Sequence, residues 1–270
     1  MHITILIDNL TRDELACEWG LAVYIEHNGR KILLDSGTTG VFADNAEKLG
    51  VNLAEVEMGA LSHSHYDHAN GFDRFFAINS RAKIYISSEA KENLYSWKKL
   101  IPKYGGIRRG MLKEHANRFV RVQGKLEALP GVWLLGHNAP YFPEMGKKGK
   151  LYVRRGFWIR PDDFRHEQSL IFEEKDTLVV FNSCSHSGPD VVIREAEAAF
   201  PGKRVRAIIG GFHLFRSSAD EVRALAGRLR NCGVEKIITG HCTGDPAFEI
   251  LHQELGDCVQ QMYSGMTVEV

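Results

Sequence analysis

Short apolar runs of strand length alternate with amphipathic stretches along this chain. The opening run from Met1 to Ile7 reads as a first strand. Leu21–Glu26 and Lys31–Asp35 are predicted strands, joined through Asn28-Gly29, a strong hairpin-turn signal. A helix is predicted over Val41–Leu49 and closed by Gly50, then strands over Val56–Ser62 and Ala82–Ser87, then a helix over Ser88–Leu100. From about residue 101 to 165 no clean period is visible, and the segment reads as an irregular insertion or lid in which only Gly131–Leu135 has strand character. Regular spacing returns with paired strands at Ser169–Glu173 and Thr177–Asn182 and a helix at Pro189–Phe200 with proline in its first position. A strand follows at Val205–Ile209. Ser218-Ala219-Asp220-Glu221 then forms a capping box ahead of a helix with Val222, Leu225 and Leu229 on one face. Strand Val234–Thr239, helix Pro246–Leu255 and two short strands finish the chain. This alternation predicts a layered α/β architecture, and no linker divides residues 1–270 into two domains.

Composition narrows the class without naming it. Of 270 residues, 44% are hydrophobic and 25% charged, as in ordinary globular proteins. The 34 basic and 34 acidic residues cancel, which argues against a dedicated nucleic-acid partner. Cations are locally dense from Lys98 to Lys125 and from Lys147 to Arg165, where they either hold an anionic small molecule or form a solvated surface. Five scattered cysteines without a CxxC pair suggest reduced thiols and a cytoplasmic setting. No apolar run is long enough for a bilayer, so no membrane partner is expected, and a homo-oligomer is compatible with this composition.

His63-Ser64-His65-Tyr66-Asp67-His68 carries the sharpest chemistry. At strand spacing His63 and His65 point the same way, and an immediate turn into a helix brings Asp67 and His68 to a neighbouring position. Imidazole and carboxylate are ligands for Zn²⁺, Fe or Mn²⁺. His186, His213 and His241 each end an apolar strand, where α/β folds place ligands. His2, His27, His115, His137 and His252 lack that setting and are read as structural. His166 is open between the two readings, and Cys184 is either a thiolate ligand or a small buried residue.

Together these residues resemble the metallo-β-lactamase superfamily. Leu33-Leu34-Asp35-Ser36-Gly37 is similar to its first motif, His63 to His68 to its HxHxDH motif, and Gly240-His241 to its final histidine motif. The resemblance implies an αββα sandwich of two mixed β-sheets flanked by helices, with metals at one edge and Asp35 supporting the metal loop. More narrowly, the stretches at 167–170, 184–188, 210–214 and 240–244 resemble a subgroup labelled dihydropterin–ribofuranosylaminobenzene phosphate synthases. That subgroup has an acidic residue where His166 stands, which implies His186 as the third histidine ligand. No aspartate occupies the usual bridging place, where Cys184 falls.

The implied site holds two divalent metal ions, zinc first and iron or manganese as alternatives. One would lie on His63, His65 and His186, and the other on Asp67, His68 and His241 with Cys184 nearby. The implied activity is a hydrolase using a metal-bound hydroxide on a small anionic substrate. Asp67 would orient the nucleophile or take a proton, and His213 would donate to developing charge. Lys147, Lys148, Arg154 and Arg155 would hold phosphate or carboxylate. The alternatives are a pterin-condensing transferase and a non-catalytic metal or ligand sensor on the same fold.

Overall fold

The computed structural model describes residues 1–98, 101–137 and 139–270. The first part of the chain forms β1 (His2–Ile7), β2 (Ala22–His27), β3 (Arg30–Leu34), α1 (Val41–Lys48), β4 (Met58–Ala60), α2 (Tyr66–Ala69), α3 (Phe72–Ile78) and β5 (Lys83–Ser87). Next come β6 (Leu94–Lys98), β7 (Ile101–Tyr104), α4 (Met111–Glu114), β8 (Phe119–Val122), β9 (Lys125–Leu129) and β10 (Val132–Gly136). They are followed by α5 (Phe142–Gly149), β11 (Leu151–Arg155) and β12 (Trp158–Pro161). The remainder is β13 (Gln168–Glu173), β14 (Thr177–Phe181), α6 (Pro189–Ala199), β15 (Arg204–Ile209), α7 (Ala219–Cys232), β16 (Lys236–Thr239), α8 (Asp245–Leu255), β17 (Val259–Gln261) and β18 (Thr267–Glu269).

Two seven-stranded mixed sheets, ordered β18-β1-β2-β3-β4-β5-β8 and β17-β16-β15-β14-β13-β10-β9, pack face to face. Strand alternation sorts the residues. Val23 and Ile25 of β2 join Leu170, Phe172, Val179 and Phe181 in the layer between the sheets. Ala22 and Tyr24 turn outward to Phe42, Phe72 and Phe75 on the flanking helices. On the far side, Ile171, Val180 and Ile208 meet Val192 and Ile193 of α6 and Val222 and Leu225 of α7. The expected αββα layering is present. Among the described residues no helix is long and apolar enough to cross a membrane.

Two expectations are corrected. The helix predicted over 88–100 is not formed, because Leu94–Lys98 is a strand paired with β7 and β11, while residues 99 and 100 lie outside the described residues. Tyr95 and Trp97 explain the difference, since aromatic side chains favour a pleated surface when strand partners are available. The segment 101–165 is not irregular either. Strand β8 extends the first sheet and β9–β10 the second, while β12-β11-β6-β7 forms a separate four-stranded sheet. Its strands are four or five residues long, too short to show a period against the surrounding sequence.

Close backbone approach fixes the turn after the histidine segment. A Cβ on Gly71 would lie 1.8 Å from the Ser36 carbonyl oxygen and 2.5 Å from that of Thr39. Gly227, inside α7, has nothing within 4 Å of such a Cβ. Gly71→Ala is therefore expected to cost roughly 3 kcal/mol. Gly227→Ala should instead gain roughly 0.5–1 kcal/mol through helix propensity. Urea midpoints measured side by side check both signs, and equal shifts for the two would contradict this packing.

Candidate metal centre

The histidines arrive from strand ends. Strand β4 runs parallel to β3 and β5 and leads straight into residues 61–68. Strands β14, β15 and β16 are mutually parallel, so the loops carrying His186, His213 and His241 leave from the same edge of their sheet. Four non-glycine residues at these junctions have positive φ: Asp35 (59°), Ser185 (45°), His213 (51°) and His241 (49°). Left-handed backbone at such residues costs of order 1–3 kcal/mol each and persists only where the surroundings enforce it. Here it redirects the chain at the point where side chains must converge.

They do converge. His63, His65 and His186 offer ring nitrogens within 4.8 Å of one another, and His63, His68 and Cys184 form a second group of the same tightness. The His68 Nε2 is 3.4 Å from the Cys184 Sγ, and the His241 Nε2 is 3.7 Å from the Asp67 Oδ2. The structure thus brings together His63, His65, Asp67, His68, His186 and His241, all buried.

Neighbours orient the rings. Nδ1 of His63 meets the Ser62 Oγ at 2.9 Å, Nδ1 of His68 the Asp35 Oδ2 at 2.7 Å, Nδ1 of His186 the Glu167 Oε1 at 3.0 Å, and Nδ1 of His241 the Asn9 Oδ1 at 3.0 Å. Asp35 also accepts from the Ser62 N–H and Oγ–H, both at 2.7 Å. The Nε2 atoms of His63, His186 and His241 are left buried and without a hydrogen-bond partner among the described residues. So is Nε2 of His65, 3.6 Å from the Asp162 Oδ2. An unsatisfied buried polar atom costs about 1–3 kcal/mol, so the arrangement is expensive unless something accepts those lone pairs. Imidazole nitrogens beside a carboxylate and a thiol suit a divalent transition metal, and these residues fit one. His166 stands beside this set, in a further group with His65 and Asp162 whose ligand atoms also lie within 4.8 Å of one another. Its Nδ1 accepts the Ser64 N–H at 3.1 Å and its Nε2 meets the Asp162 Oδ2 at 3.2 Å.

Electrostatics favour cation binding as well. Burial, and then the neighbouring imidazoles, push His63 and His186 well below the ordinary histidine value, keeping both neutral. Burial opposes charge on Asp67, but His68, His241 and His65 outweigh it and hold the carboxyl below its usual range. Burial raises the Cys184 thiol, whereas Cys242, against the same burial, is held toward thiolate by its hydrogen bonds with Cys184 and His213.

A cavity of about 440 Å³ opens on this cluster, with His65, Asp67, Cys184, His186, His213 and His241 in its wall. Lys147, Lys148, Arg154 and Arg155 are not in that wall. Lys148 pairs with Glu221 at 2.5 Å, Arg155 with Asp163 at 2.6 Å, and the Arg154 Nε donates to the Gly156 carbonyl at 3.1 Å. Lys147 is exposed on α5. Local charge density does not say that α5 carries Lys147 and Lys148 and the β11–β12 hairpin carries Arg154 and Arg155 outside this wall, with Lys148 lining a neighbouring cavity beside His186 and His213. Among the described residues, the cations lining the cavity are Lys150 and Arg216. Sequence reading also missed Trp19, whose Nε1–H donates to the Asp67 Oδ2 at 2.7 Å, as well as Glu167, Asn9, Asp162 and Cys242. Asn9 sits just past an apolar strand, as the ligand histidines do, which was the one available signal.

A pH signature follows for the metal-free protein. His63, His186 and His241 have lowered values in the fold, so the unfolded chain takes up their protons first. Their stabilisation is complete at neutral pH and is lost as pH falls below roughly 6.5. His68 and His166 act oppositely: burial lowers them, but Asp35 and Asp162 raise them further, giving stability that fades as pH rises. Two of the three lowered groups are lowered strongly and set the direction, and the buried carboxyls of Asp8, raised to about 7, and of Glu167, also raised, offset part of the loss. The thermal midpoint of chelator-treated protein should therefore drop between roughly pH 7 and pH 5.5. A midpoint that rises on acidification would sink this account.

Comparison with known proteins agrees with the geometry. The family model described as the metallo-beta-lactamase superfamily matches residues 20–241. The 7,8-dihydropterin-6-methyl-4-(beta-D-ribofuranosyl)-aminobenzene-5'-phosphate synthase of Methanocaldococcus jannaschii is 25% identical over 264 residues, covering 92% of this chain and 87% of that protein. The crystal structure of Tm1679, a metal-dependent hydrolase of the beta-lactamase superfamily, aligns with a TM-score of 0.85 and 29% identity over 100% of this chain and 99% of the other. A diphosphatase of the PhnP family shares the fold at a TM-score of 0.55 and 14% identity, covering 100% of this chain and 97% of its own. With the histidine cluster at the expected sheet edge and a family match spanning most of its length, the chain belongs to the metallo-beta-lactamase superfamily.

Proposed function

We propose that this protein is a metal-dependent hydrolase acting on a small anionic substrate. One observation carries the reading: buried Nε2 atoms of His63, His65, His186 and His241 that lack a hydrogen-bond partner among the described residues, gathered beside Asp67 and Cys184. His63, His65 and His186 would hold one divalent cation, and Asp67, His68 and His241, with Cys184, a second. Zinc suits the mixed imidazole, carboxylate and thiolate set best, with iron or manganese as the alternatives. Such cations lower the pKa of bound water toward neutrality and polarise the bond under attack.

The chain's own groups do the rest. Asp67 accepts a proton or orients the attacking water, and the Trp19 Nε1–H on its Oδ2 fixes the carboxylate plane. His213, in the cavity wall with an unpartnered Nδ1, donates to charge developing on the substrate or leaving group. Lys150 and Arg216 draw the anionic end of the substrate into the cavity. Trp19, Tyr66, Trp97 and Phe215 leave room for a flat apolar portion between them.

A second reading is a transferase that condenses a dihydropterin diphosphate with a ribofuranosylaminobenzene phosphate. The likeness to the archaeal synthase and the aromatic lining favour it. The two readings part on one assay. Pyrophosphate release from the pterin diphosphate that requires the arylamine supports the transferase, and release without it supports the hydrolase.

Metal analysis by plasma mass spectrometry should find two equivalents per chain, mostly lost in His65→Ala. A chain that takes up none after reconstitution is not a metalloenzyme. On whichever substrate turns over, Asp67→Ala should lower kcat by about 10²-fold or more. Full turnover in that variant would remove Asp67 from the mechanism.

A further inference from the structure

Cys184 and Cys242 come from different strand ends, after β14 and β16, yet their Sγ atoms are 3.3 Å apart. Both are buried, and both stand in the wall of the metal cavity. The Cys242 Sγ also lies 4.0 Å from the Cys184 carbonyl oxygen. A disulfide needs about 2.04 Å between sulfurs, so closure asks the two sulfurs to approach by roughly 1.3 Å. Cys17, Cys232 and Cys258 have no comparable neighbour among the described residues, and all five cysteines are free thiols.

Cys184 also belongs to the cation cluster. It groups with His63 and His68 on one side and with His241 and Cys242 on the other, and its Sγ is 3.4 Å from the His68 Nε2. A sulfur tied in a disulfide is no longer a thiolate and cannot ligate a metal. We propose that Cys184 and Cys242 form a reversible disulfide that closes in the metal-free site and is held open when a cation occupies it. Oxidant and metal then compete for one sulfur, so the site records whether it is loaded. The competition rests on the metal reading above; the thiol chemistry does not.

The oxidant is a hydroperoxide small enough to enter the cavity. Cys242, whose Sγ accepts the His213 backbone N–H at 3.2 Å, attacks the peroxide oxygen. The O–O bond breaks, and for hydrogen peroxide the departing hydroxide leaves as water with a thiol proton. The resulting sulfenic acid is attacked at sulfur by Cys184, the S–S bond forms, and the second oxygen leaves as water. Two thiols and one peroxide give one disulfide and two waters, with two electrons passing from sulfur to oxygen.

The full-length chain, chelator-treated or reloaded with zinc, is exposed to equimolar hydrogen peroxide. Without metal, free thiols should fall from five to three, the intact mass should drop by two hydrogens, and peptide mapping should link Cys184 to Cys242. Dithiothreitol should restore all five thiols. Zinc should slow the loss roughly tenfold or more, and the oxidised chain should bind less zinc than the reduced one. In Cys242→Ser no link forms, and Cys184 instead gains oxygen or stays reduced. A map without the 184–242 link overturns the proposal, and so does equally fast closure with zinc bound. A reduced chain that takes up no zinc refutes the metal reading and the competition with it, while the map still decides the link.

Discussion

A single buried carboxylate ties the site to the sheet. Asp35, at the end of β3, receives the Ser62 N–H, the Ser62 Oγ–H and the His68 ring in bonds of 2.7 Å each. Its own backbone adopts φ 59° to reach them. These bonds fix where the chain leaves β4 and how His68 is turned, and Ser62 in turn orients His63 at 2.9 Å. Charge-assisted hydrogen bonds between fully buried groups are strong because no water competes for either partner. The close passage of Gly71 under the Ser36 and Thr39 carbonyls belongs to the same arrangement, since it lets the segment curl back against β3.

Around that anchor, imidazoles are packed against the interest of the isolated chain. Ring centroids of His63 lie 4.1 Å from His68, 4.7 Å from His65 and 4.9 Å from His186. Protonating one ring there repels the next, and burial removes the water that would carry the charge. What remains are rings whose outer nitrogens are bonded to Ser62, Asp35, Glu167 and Asn9 while several inner ones have no partner among the described residues. Outer partners of this kind set ring orientation and raise ligand basicity at metal sites. The energetic cost of assembling such a centre is offset when a cation binds, and this couples its occupancy to the stability of the loops around it.

The small sheet β12-β11-β6-β7 gives the cavity its individual character. Tyr95, Ser96 and Trp97 of β6 and Leu151 of β11 stand in one wall, opposite the strand-end histidines. The cavity wall thereby draws on different parts of the chain: parallel strand ends hold the candidate donors, and a hairpin assembly shapes the opposite side. Loops and hairpins of this sort vary while a scaffold is kept, which is how one fold serves many substrates.

The candidate donors that the structure gathers were legible in the sequence because their signal is local. A strand that runs into His63-x-His65-x-Asp67-His68 places donors by backbone geometry alone, and strand-end positions marked His186, His213 and His241 in the same way. The layered sandwich was legible too, from alternation of short strands with capped helices such as the one opened by Ser218. Tertiary structure alone decided the rest. Leu94–Lys98 became a strand because β7 and β11 were there to pair with it, and the placing of α5 and of the β11–β12 hairpin left Lys147, Lys148, Arg154 and Arg155 outside the wall of the metal cavity. The Trp19–Asp67 and Cys184–Cys242 contacts join positions 48 and 58 residues apart. No periodicity encodes a meeting of that kind; it arises only when the two sheets close on one another and bring separate strand ends to a common edge.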